Sequence, residues 1–328
     1  MDKTLTVSVA AYNIENDIKQ TLDSLIVSND MMKLLEVIVV DDGSKDNTAL
    51  KAKEYEEKYP DTFKVILKEN GGYGSTINTS VKEARGKYFK QLDGGDEYIT
   101  ENLEDFIEYL VNTDADVIVS PHEKYYQQDE NKETVNDYAE YGRSETLKIK
   151  DVSFGSRLWM HGLAFKTEIW LNAGKEIPEH CFYTDMEYVL YPFIKAKTIA
   201  FYDRSIYKYF LQCEGQSVST EGLKKHYKDA TRMMWDVVGT YNELIKNGEI
   251  AECVNALYEM MVNHAIAFTY TVYSYLDGNR KEEYKKMDNK LREDYPAIYE
   301  KTLKVKRLKL MRNTGFGCAS LYRKMFKI

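Results

Sequence analysis

Residues 34–48 read LLEVIVVDDGSKDNT. Six of the first seven residues are apolar, which is typical of a strand buried on both faces of a parallel sheet. The run ends at Asp41 and Asp42, and Asp46 after the Gly-Ser turn is expected to cap a helix. Ligands of open α/β sheets bind beyond the carboxyl ends of the strands, so both acids could accept hydrogen bonds from a base or sugar hydroxyl. Taken alone, turn-forming Asp residues before a helix explain the pattern equally well.

The composition is that of a globular protein, with 328 residues of which 43% are apolar and 30% charged. That length suits one large domain or two ordinary ones. The net charge is −8, but residues 301–328 contain nine Lys or Arg and no acid, so the preceding 300 residues carry −17. A mostly acidic body argues against a nucleic-acid partner. The basic tail predicts either contact with an anionic membrane surface or a solvated helix face.

The cysteines are few and widely spaced, which bears on the compartment. Positions 181, 213, 253 and 318 form no CxxC pair. This spacing predicts reduced thiols in a cytoplasmic protein and no structural metal site. The first residues lead directly into a strand pattern, so no secretory signal is expected, and no run of 18 apolar residues could span a bilayer.

Strand and helix patterns alternate around the opening stretch. Strand patterns cover residues 4–10, 34–40, 62–67, 87–92 and 115–120, and helix patterns cover about 17–27, 47–58, 75–85 and 101–112. This alternation predicts a parallel, right-handed doubly wound sheet in an α/β domain. Residues 122–150 are polar and rich in tyrosine, which favours an excursion or a β-hairpin over the site.

Two loops beyond strand ends carry residues suited to phosphate and metal. Residues 69–78 (ENGGYGSTIN) place three glycines within four positions, which allows close backbone approach, and Ser75 or Thr76 could begin a phosphate-attracting helix. The loop is neither a Walker loop nor a GxGxxG fingerprint in the first βα turn. Residues 93–98 (DGGDEY) could hold a divalent cation, or form an ordinary acidic turn.

Five short motifs occur in an order that resembles the family 2 glycosyltransferases. They are SVAAYN at 8–13, VDDGS at 40–44, NGGYGSTIN at 70–78, GKY at 86–88 and LDG at 92–94. The match is close from residue 4 to residue 98 and looser to about residue 219. The resemblance implies an α/β fold of the GT-A type, which is Rossmann-like with a mostly parallel doubly wound sheet, here joined to a C-terminal α-helical region.

The resemblance also implies a nucleotide-sugar site. That site is predicted at Ala11, Tyr12, Glu15, Asp42, Asn70, Asn78, Asp93 and Gly94. Asp42 would read the uracil or an equivalent base, and Asp93 would lie by the ribose and the metal. A divalent cation, Mn²⁺ or Mg²⁺, is predicted at Asp93 and Asp96, because Gly95 occupies the position of the family's second Asp and Asp96 could reach the cation from one residue further on. Gly95 therefore puts metal binding in question.

Asp185 is the predicted general base. The segment FYTDMEY at 182–188 resembles the family's acidic motif before an apolar helix, with Thr184 at the position of its first acid. On this interpretation Asp185 takes the proton of an acceptor hydroxyl, and Glu187 is the fallback. The alternative is that Thr184 caps a helix running to about residue 196, with Asp185 in its first turn complementing the helix dipole.

Acceptor and phosphate contacts are predicted on two later segments. The segment FGSRLWMHG at 154–162 lies where the family faces its acceptor, so Trp159 and His161 are candidate acceptor contacts. A satisfied structural histidine beside a tryptophan is the alternative. Gln216 and Ser217 lie in a segment that resembles the family's loop over the diphosphate.

The C-terminal third changes to amphipathic helical patterns. These cover about 221–247, 249–275 and 279–303, with Pro296 expected to break the last. The stripe of Met233, Met234, Trp235, Val238, Tyr241 and Leu244 predicts a helix core. We therefore divide the chain into a nucleotide-sugar-binding catalytic domain, 1–219, and a helical region with a basic tail, 220–328.

The resemblance implies an inverting glycosyltransferase that uses a nucleotide-diphosphate sugar, with UDP the expected nucleotide by analogy with the family. Its acceptor would be a glycan or a lipid-linked glycan in cell-surface polysaccharide or glycoconjugate synthesis. The basic tail would add peripheral contact with the inner face of the membrane. One alternative is a catalytically weak binding or regulatory protein that keeps the sugar-nucleotide pocket. A dinucleotide-dependent oxidoreductase lacks its glycine fingerprint here.

Overall fold

The computed structural model describes residues 3–126, 132–211, 219–248 and 252–317. The chain divides into two compact units, Met1–Cys213 and Glu214–Ile328. The predicted division between residues 219 and 220 adjoins residues 212–218, which lie outside the described residues, so this boundary stays a prediction.

The first unit alternates strands and helices as predicted. Its strands are β1 Leu5–Ala11, β2 Leu35–Asp41, β3 Phe63–Leu67, β4 Tyr88–Asp93, β5 Glu97–Tyr98, β6 Val117–Val119, β7 His122–Tyr126, β8 Lys132–Val135, β9 Leu147–Lys148, β10 Leu163–Lys166, β11 Thr198–Phe201 and β12 Tyr207–Leu211. Its helices are α1 Ile18–Asp23, α2 Asn29–Leu34, α3 Thr48–Lys58, α4 Tyr73–Glu83, α5 Thr100–Asn112, α6 Thr167–Asn172 and α7 Asp185–Leu190.

A large mixed sheet forms the centre of this unit, in the order β3-β2-β1-β4-β10-β6-β11-β9. The first four strands of that order are parallel to one another, which confirms the predicted doubly wound core. Strand β10 lies antiparallel between β4 and β6. The sequence analysis missed it because its four residues, LAFK, are too short to show a period.

The buried strand β2 has a charged residue, Glu36, near its start, and the partners of Glu36 explain how its charge is tolerated. All seven residues of β2 are buried. The carboxylate of Glu36 accepts hydrogen bonds from Thr6 Oγ1 at 2.7 Å, Arg85 N at 2.7 Å and Arg85 Nε at 2.6 Å. A buried charge paired in this way keeps its place in an otherwise apolar strand.

A second, four-stranded sheet has the order β5-β12-β7-β8. Strands β7 and β8 form an antiparallel hairpin, which confirms the hairpin expected after residue 122. Strand β12 pairs in parallel with β7 and antiparallel with β5. Because β5 follows β4 after three residues, this small sheet adjoins the carboxyl end of β4.

Several helices differ in length from the patterns. The first predicted helix ends at Asp23, and the short α2 that follows was not predicted. Helix α7 ends at Leu190, and a 3₁₀ turn follows at Pro192–Ile194. The expected extension to about residue 196 was therefore wrong, because Pro192 has no backbone N–H to continue the helix and its ring crowds the carbonyl of the residue four positions earlier.

The described part of the second unit is helical. Its helices are α8 Thr220–Lys225, α9 Tyr227–Asn247, α10 Glu252–Ser274, α11 Lys281–Asp294, α12 Pro296–Thr302 and α13 Lys306–Asn313. The expected break at Pro296 is confirmed, since this residue begins α12. Most of the predicted stripe on α9 is core: Met233, Met234, Val238, Tyr241 and Leu244 are buried, whereas Trp235 is half-buried. No helix among the described residues combines the length and apolar character that crossing a bilayer requires.

Candidate active site

The carboxyl ends of three parallel strands meet at one edge of the large sheet, as predicted. Asp42 N donates to Ala11 O at 2.9 Å, which joins the ends of β2 and β1. Gly94 N donates to Ala10 O at 3.0 Å, which joins the ends of β4 and β1. A Cβ on Gly94 would lie 2.5 Å from Ala10 O, so this close approach requires glycine. Ala11 and Gly94 therefore fix the backbone floor of the site.

The carboxylate of Asp42 holds the glycine-rich loop. It is buried and accepts hydrogen bonds from Gly71 N at 2.9 Å, Gly72 N at 2.8 Å and Ser75 Oγ at 3.2 Å. Lys68 Nζ pairs with it at 2.9 Å. These bonds engage both carboxylate oxygens with the protein. Whether Asp42 also reads a base stays a prediction.

Tyr12 lies at the mouth of an open cleft. Its side chain is 49% exposed, which is high for a tyrosine beside the core. The cleft has a volume of about 490 Å³ and is lined by Tyr12, Gly43, Lys45, Leu67, Lys68, Glu69 and Asn70. An exposed aromatic face with amide, ammonium and carboxylate groups nearby can stack on a flat ring and bond its edge.

Two acids that the sequence analysis singled out, Glu15 and Asp46, accept hydrogen bonds from the protein's own backbone. The Glu15 carboxylate accepts from Asn47 N at 3.1 Å and Asn47 Nδ2 at 2.7 Å, next to the start of α3. Asp46 accepts from Thr48 N at 3.0 Å, so the expected capping residue bonds the first amide of that helix. The Glu15 carboxylate is therefore bonded to Asn47 at the start of α3, and its contact with a nucleotide sugar stays a prediction.

The two predicted asparagines also make internal bonds. Asn70 Nδ2 donates to Asp42 O at 2.9 Å, which leaves Asn70 on the wall of the cleft. Asn78 is buried, donates from Nδ2 to Ile177 O at 2.8 Å and accepts from Ile177 N at 2.9 Å. These bonds attach α4 to the segment before α7. Direct contact of Asn78 with a ligand stays a prediction.

Asp93, at the end of β4, is surrounded by tyrosines. Tyr73 OH donates to Asp93 Oδ1, and Asp93 N donates to Tyr207 OH at 3.1 Å. Burial of the carboxyl, together with the nearby charge of Asp185, raises the pKa of Asp93 to about 6. The Asp93 carboxylate is therefore a site where positive charge would be stabilised.

Asp96 and His161 complete a cluster with Asp93. One ligand atom of each residue lies within 4.8 Å of those of the other two. Asp96 accepts from Tyr207 OH at 2.7 Å and from Phe210 N at 2.9 Å, and burial raises its pKa. His161 was predicted as an acceptor contact, and the structure places its imidazole beside these acids.

The cluster fits a divalent cation by its donor chemistry. His161 is buried, and its Nδ1 has no hydrogen-bond partner among the described residues. Burial lowers the pKa of His161, so its imidazole is neutral and can act as a ligand. Two carboxylates and a neutral imidazole suit Mn²⁺ and related cations.

The backbone conformation at position 95 explains why a glycine is present where the family pattern has its second Asp. Its φ is +99°, a conformation that residues with a Cβ rarely adopt. Gly95 N donates to Thr21 Oγ1 at 3.0 Å, and Asp96 N donates to Asp93 O at 3.0 Å. This turn brings Asp96 back beside Asp93, so the second carboxylate comes from one residue further along the chain.

Asp185 is the first residue of α7 and lies within electrostatic reach of this cluster. Its negative charge raises the pKa values of both Asp93 and Tyr73. The side chain of Asp185 is exposed at its surface. Its carboxyl is nevertheless surrounded by protein on most sides, and the resulting loss of hydration raises the pKa of Asp185. Thr184 makes no side-chain capping bond, so the expected cap was wrong. Glu187, the fallback base, is 0% exposed.

Trp159 lies between cationic side chains. Its indole Nε1 donates to Asp137 at 3.1 Å. The Arg157 guanidinium carbon lies 3.3 Å from the Trp159 ring centroid, and Lys124 Nζ lies 4.4 Å from it. The indole is therefore held by its nitrogen and packed against two cations.

Sequence reasoning missed several residues that the fold brings to this site. Tyr73 was inside the quoted glycine-rich loop, and its position in that loop was a usable signal. Tyr207 and His122 reach the site through the small sheet, which single-sequence patterns do not place. Gln216 and Ser217, the predicted diphosphate contacts, lie outside the described residues.

Comparison with known sequences identifies a family over the first half of the chain. The model "Glycosyl transferase family 2" matches residues 6–166. An uncharacterised glycosyltransferase of Rickettsia prowazekii is 37% identical over 116 residues, which cover 35% of each chain. The minor teichoic acid biosynthesis protein GgaB of Bacillus subtilis is 31% identical over 119 residues, covering 35% of this chain and 13% of that protein. The similarity thus spans about a third or less of these relatives.

Comparison with solved structures extends over nearly the whole chain. TarS of S. aureus, residues 1–349 in complex with UDP-GlcNAc, matches with a TM-score of 0.68 and 17% sequence identity. The match covers 98% of this chain and 89% of that one. The similarity confirms the predicted GT-A type of fold together with its helical C-terminal region.

Proposed function

Because residues 6–166 form a glycosyl transferase family 2 domain, we propose that this protein transfers a sugar from a nucleotide-diphosphate donor to a hydroxyl acceptor. The observation that carries the proposal is the grouping of Asp93, Asp96 and His161 within electrostatic reach of Asp185. Sugar transfer needs stabilisation of the leaving group and removal of a proton from the acceptor. The cation-binding group can serve the first need, and a carboxyl with a raised pKa can serve the second.

The donor nucleotide is proposed to bind in the cleft beside Tyr12. Its base would stack on the exposed Tyr12 ring, with Asn70 and Glu69 at its edge and Lys45 or Lys68 near its phosphates. Asp42 would act by holding Gly71 and Gly72 in place, so that the loop can approach the ligand closely. UDP is the proposed nucleotide, supported by the fold shared with TarS, which was solved with UDP-GlcNAc.

A divalent cation, Mn²⁺ or Mg²⁺, is proposed to be held by Asp93 and Asp96, with His161 as a third ligand. When bound, it would neutralise charge that develops on the departing nucleoside diphosphate. The protein's own part is to hold both carboxylates close together. Tyr207 does this for Asp96 through its hydroxyl, and Tyr73 does it for Asp93.

Asp185 is proposed to be the general base. Its carboxylate takes the proton of the acceptor hydroxyl while that oxygen bonds to the anomeric carbon of the sugar. The bond from the anomeric carbon to the diphosphate oxygen breaks in the same displacement, and its electron pair leaves with the nucleoside diphosphate. A single displacement of this kind inverts the anomeric configuration. The raised pKa favours Asp185 as a proton acceptor near neutral pH.

The acceptor is proposed to be a glycan or lipid-linked glycan in cell-surface polymer synthesis at the cytoplasmic side of the membrane. The resemblance to a protein named for minor teichoic acid biosynthesis supports this class. The basic segment near the C-terminus supports peripheral membrane contact, since Lys304, Lys306, Arg307 and Lys309 are exposed.

The second candidate is a binding or regulatory protein that keeps the sugar-nucleotide pocket with little catalysis. The glycine at position 95 favours it, because the position of the family's second Asp has no carboxylate in this chain. The two candidates differ in metal dependence. A transferase that uses Asp93 and Asp96 should bind its nucleotide more tightly with a divalent cation, whereas a vestigial pocket should not respond to one.

The test is calorimetric titration of UDP with Mn²⁺ and again with EDTA, combined with an assay for release of UDP from a UDP-sugar. We expect metal-dependent binding that Asp93→Asn and Asp96→Asn both weaken by tenfold or more, since each removes a charged ligand. Asp114→Asn is the matched control, because that carboxylate is 80% exposed. Metal-independent binding without turnover would favour the second candidate, and failure to bind UDP, GDP or other nucleoside diphosphates would refute both.

A further inference from the structure

Helix α7 has the proposed base as its first residue, but it contains little to fix its own start. It is six residues long, and Thr184 makes no side-chain capping bond to it within the described part of the chain. A helix of that length is marginal by itself. Its buried side is held, since Gln91 N of β4 donates to Tyr188 OH at 3.2 Å. The position of the Asp185 carboxyl therefore also depends on the residues that precede it.

Asn78 of α4 holds the beginning of that preceding stretch, which we call the 177–184 segment. Its Nδ2 donates to Ile177 O at 2.8 Å, and its Oδ1 accepts from Ile177 N at 2.9 Å. Both residues are buried. Loss of the Asn78 amide would leave the N–H and the C=O of Ile177 without this partner in the interior, which is costly. Asn78 therefore fixes the segment at its first residue.

Gly74 brings the same segment against the glycine-rich loop. A Cβ at position 74 would lie 2.2 Å from Pro178 O and 2.6 Å from Ile177 Cγ2. Gly74 lies inside α4, where alanine is otherwise favoured over glycine. Close packing against residues 177 and 178 therefore explains this glycine, and no ligand is needed to explain it.

A further contact follows closer to the base. His180 N donates to Gly71 O at 2.6 Å, which bonds the segment to the glycine-rich loop a second time. Cys181 Sγ donates to Pro178 O at 3.4 Å, which closes a turn within the segment. The segment is thus bonded to α4 at one position and to the glycine-rich loop at another.

The backbone from this contact to the base follows an uncommon path. His180 and Tyr183 have φ values of +53° and +63°, a left-handed conformation that residues with a Cβ adopt infrequently. Such residues persist where surrounding contacts determine them, and they are concentrated at functional sites. Thr184, the last residue before Asp185, is buried. The contacts at residues 177–181 therefore determine the path that leads into α7.

We propose that Asn78 is a positioning residue for Asp185: it holds the 177–184 segment on the glycine-rich loop and thereby sets where the carboxyl of the base lies. The inference rests on the proposed function, in which this loop belongs to the donor side and Asp185 to the acceptor side. The role requires no contact between Asn78 and the sugar nucleotide. Asp42 holds the loop independently through Gly71 N and Gly72 N.

The first measurement is the rate at which N-ethylmaleimide modifies Cys181, followed by mass spectrometry of the peptide that contains it. This side chain is 8% exposed, so modification requires the segment to open. We expect Asn78→Ala to raise the rate about tenfold or more, because it removes two buried hydrogen bonds. Asn78→Asp, which can still accept from Ile177 N but cannot donate to Ile177 O, should also raise it.

Two further variants complete this measurement. Gly74→Ala should raise the Cys181 rate as well, since its methyl group displaces the segment while its helix propensity is favourable. Thr62→Val is the matched control, because Thr62 Oγ1 makes a buried hydrogen bond to Met32 O at 2.9 Å just before β3. Its loss lies at the opposite edge of the sheet and should leave the Cys181 rate within about twofold of wild type.

The second measurement separates a positioning role from a general loss of structure. It compares UDP affinity by calorimetry with kcat for release of UDP from UDP-glucose, UDP-galactose or UDP-GlcNAc, with water as acceptor. We expect Asn78→Ala to lower kcat about tenfold to 10²-fold and to leave UDP affinity within about threefold. In an Asp185→Asn background the same change should lower kcat by less than about twofold, since the base that it displaces is already absent.

Three results would overturn the positioning role. They are effects of Asn78→Ala and Asp185→Asn that multiply, a loss of UDP affinity as large as the loss of kcat, and a wild-type Cys181 rate in both Asn78 variants. If the Asn78 variants do not fold, the Cys181 rate and the same double-variant comparison are decided with Gly74→Ala. A wild-type chain that neither binds UDP nor releases it from these UDP-sugars would instead overturn the proposed function. The Cys181 rates need no nucleotide, so they would still decide whether Asn78 holds the segment.

Discussion

At the scale of single residues, the site separates side chains that hold the loops from side chains that face open space. Asp42 and Asn78 bond to backbone groups of Gly71, Gly72 and Ile177. Tyr12, by contrast, is 49% exposed at the cleft. Polar residues in a sequence motif can therefore serve ligand binding through the backbone that they fix.

Replacing Asp185 with asparagine tests the proposed base. We expect Asp185→Asn to lower kcat for sugar transfer by 10²-fold to 10⁴-fold, because the amide cannot take the acceptor proton. Calorimetry should show UDP affinity unchanged within about twofold, since this carboxyl is assigned to the acceptor side.

Glu168→Gln is the matched control for that experiment. Glu168 is likewise an exposed acid in the first turn of a short helix, α6, so its replacement should leave kcat unaltered. If Asp185→Asn kept more than about a third of wild-type kcat, general-base catalysis by Asp185 would be excluded, because that contribution is worth at least about 10²-fold.

At the scale of elements, an arginine connects helix α5 to the loop after β11. Arg143 donates to Asp105 of α5 and to Asp203 Oδ1 at 2.9 Å, and its guanidinium lies 4.7 Å from the Tyr202 ring centroid. The hydrogen bond from Arg143 is the main cause of the lowered pKa of Asp105. This cluster attaches the segment after a 3₁₀ turn at Ala139–Tyr141 to α5 and to the loop after β11.

Arg143→Met should destabilise the protein in a pH-dependent way. A carboxyl whose pKa is lower in the folded state contributes stability at neutral pH and loses it as the pH falls through the folded pKa. We expect a loss of about 1–2 kcal/mol in the free energy of unfolding at pH 7, discounted for partial exposure of the pair.

Urea unfolding at pH 7 and at successively lower pH measures this effect. The difference between Arg143→Met and wild type should shrink below about pH 4, where Asp105 of the unfolded chain is protonated. Lys33→Met, which breaks an exposed pair with Asp30, should leave the free energy of unfolding and its pH dependence close to those of wild type. A difference in stability that stays constant with pH would show that Arg143 acts through packing alone.

At the scale of the whole molecule, the second unit determines which part of the basic segment could contact a membrane. Leu308 and Met311 of α13 are buried. Their apolar face is therefore not available for insertion into lipid. Lys304, Lys306, Arg307 and Lys309 are exposed and could act only through charge.

If the basic segment binds membranes, we therefore expect that binding to be electrostatic. Sedimentation with vesicles should show binding to phosphatidylserine-rich vesicles at low salt and none to neutral vesicles. The bound fraction should fall steeply by about 0.5 M NaCl, where charges are screened within a few ångströms. A variant with Gln at the four exposed cations should lose binding, whereas Lys285→Gln on α11 should not. Salt-resistant binding to neutral vesicles would contradict the electrostatic account.

The sequence by itself determined the order of strands β1 to β4 and of helices α1, α3, α4 and α5, and the edge of the sheet where the candidate site lies. It did not reveal the short α2 and β5 between them. Val37 to Val40 could only be a buried strand, and Asp41 and Asp42 had to lie at its carboxyl end. Local patterns were sufficient there because long apolar runs and glycine turns are specified by neighbouring residues. They were insufficient for β10 and α7, where four to six residues carry too little periodicity.

Only the tertiary structure decided which side chains meet. It placed His161 with Asp93 and Asp96, although the sequence pointed to an acceptor contact, and it brought Tyr207 from β12 to the same cluster. It also showed that a positive φ at Gly95 returns Asp96 to the site. The physical reason is that local propensity acts over a few residues, whereas a site depends on sheet order and on contacts between residues distant in sequence.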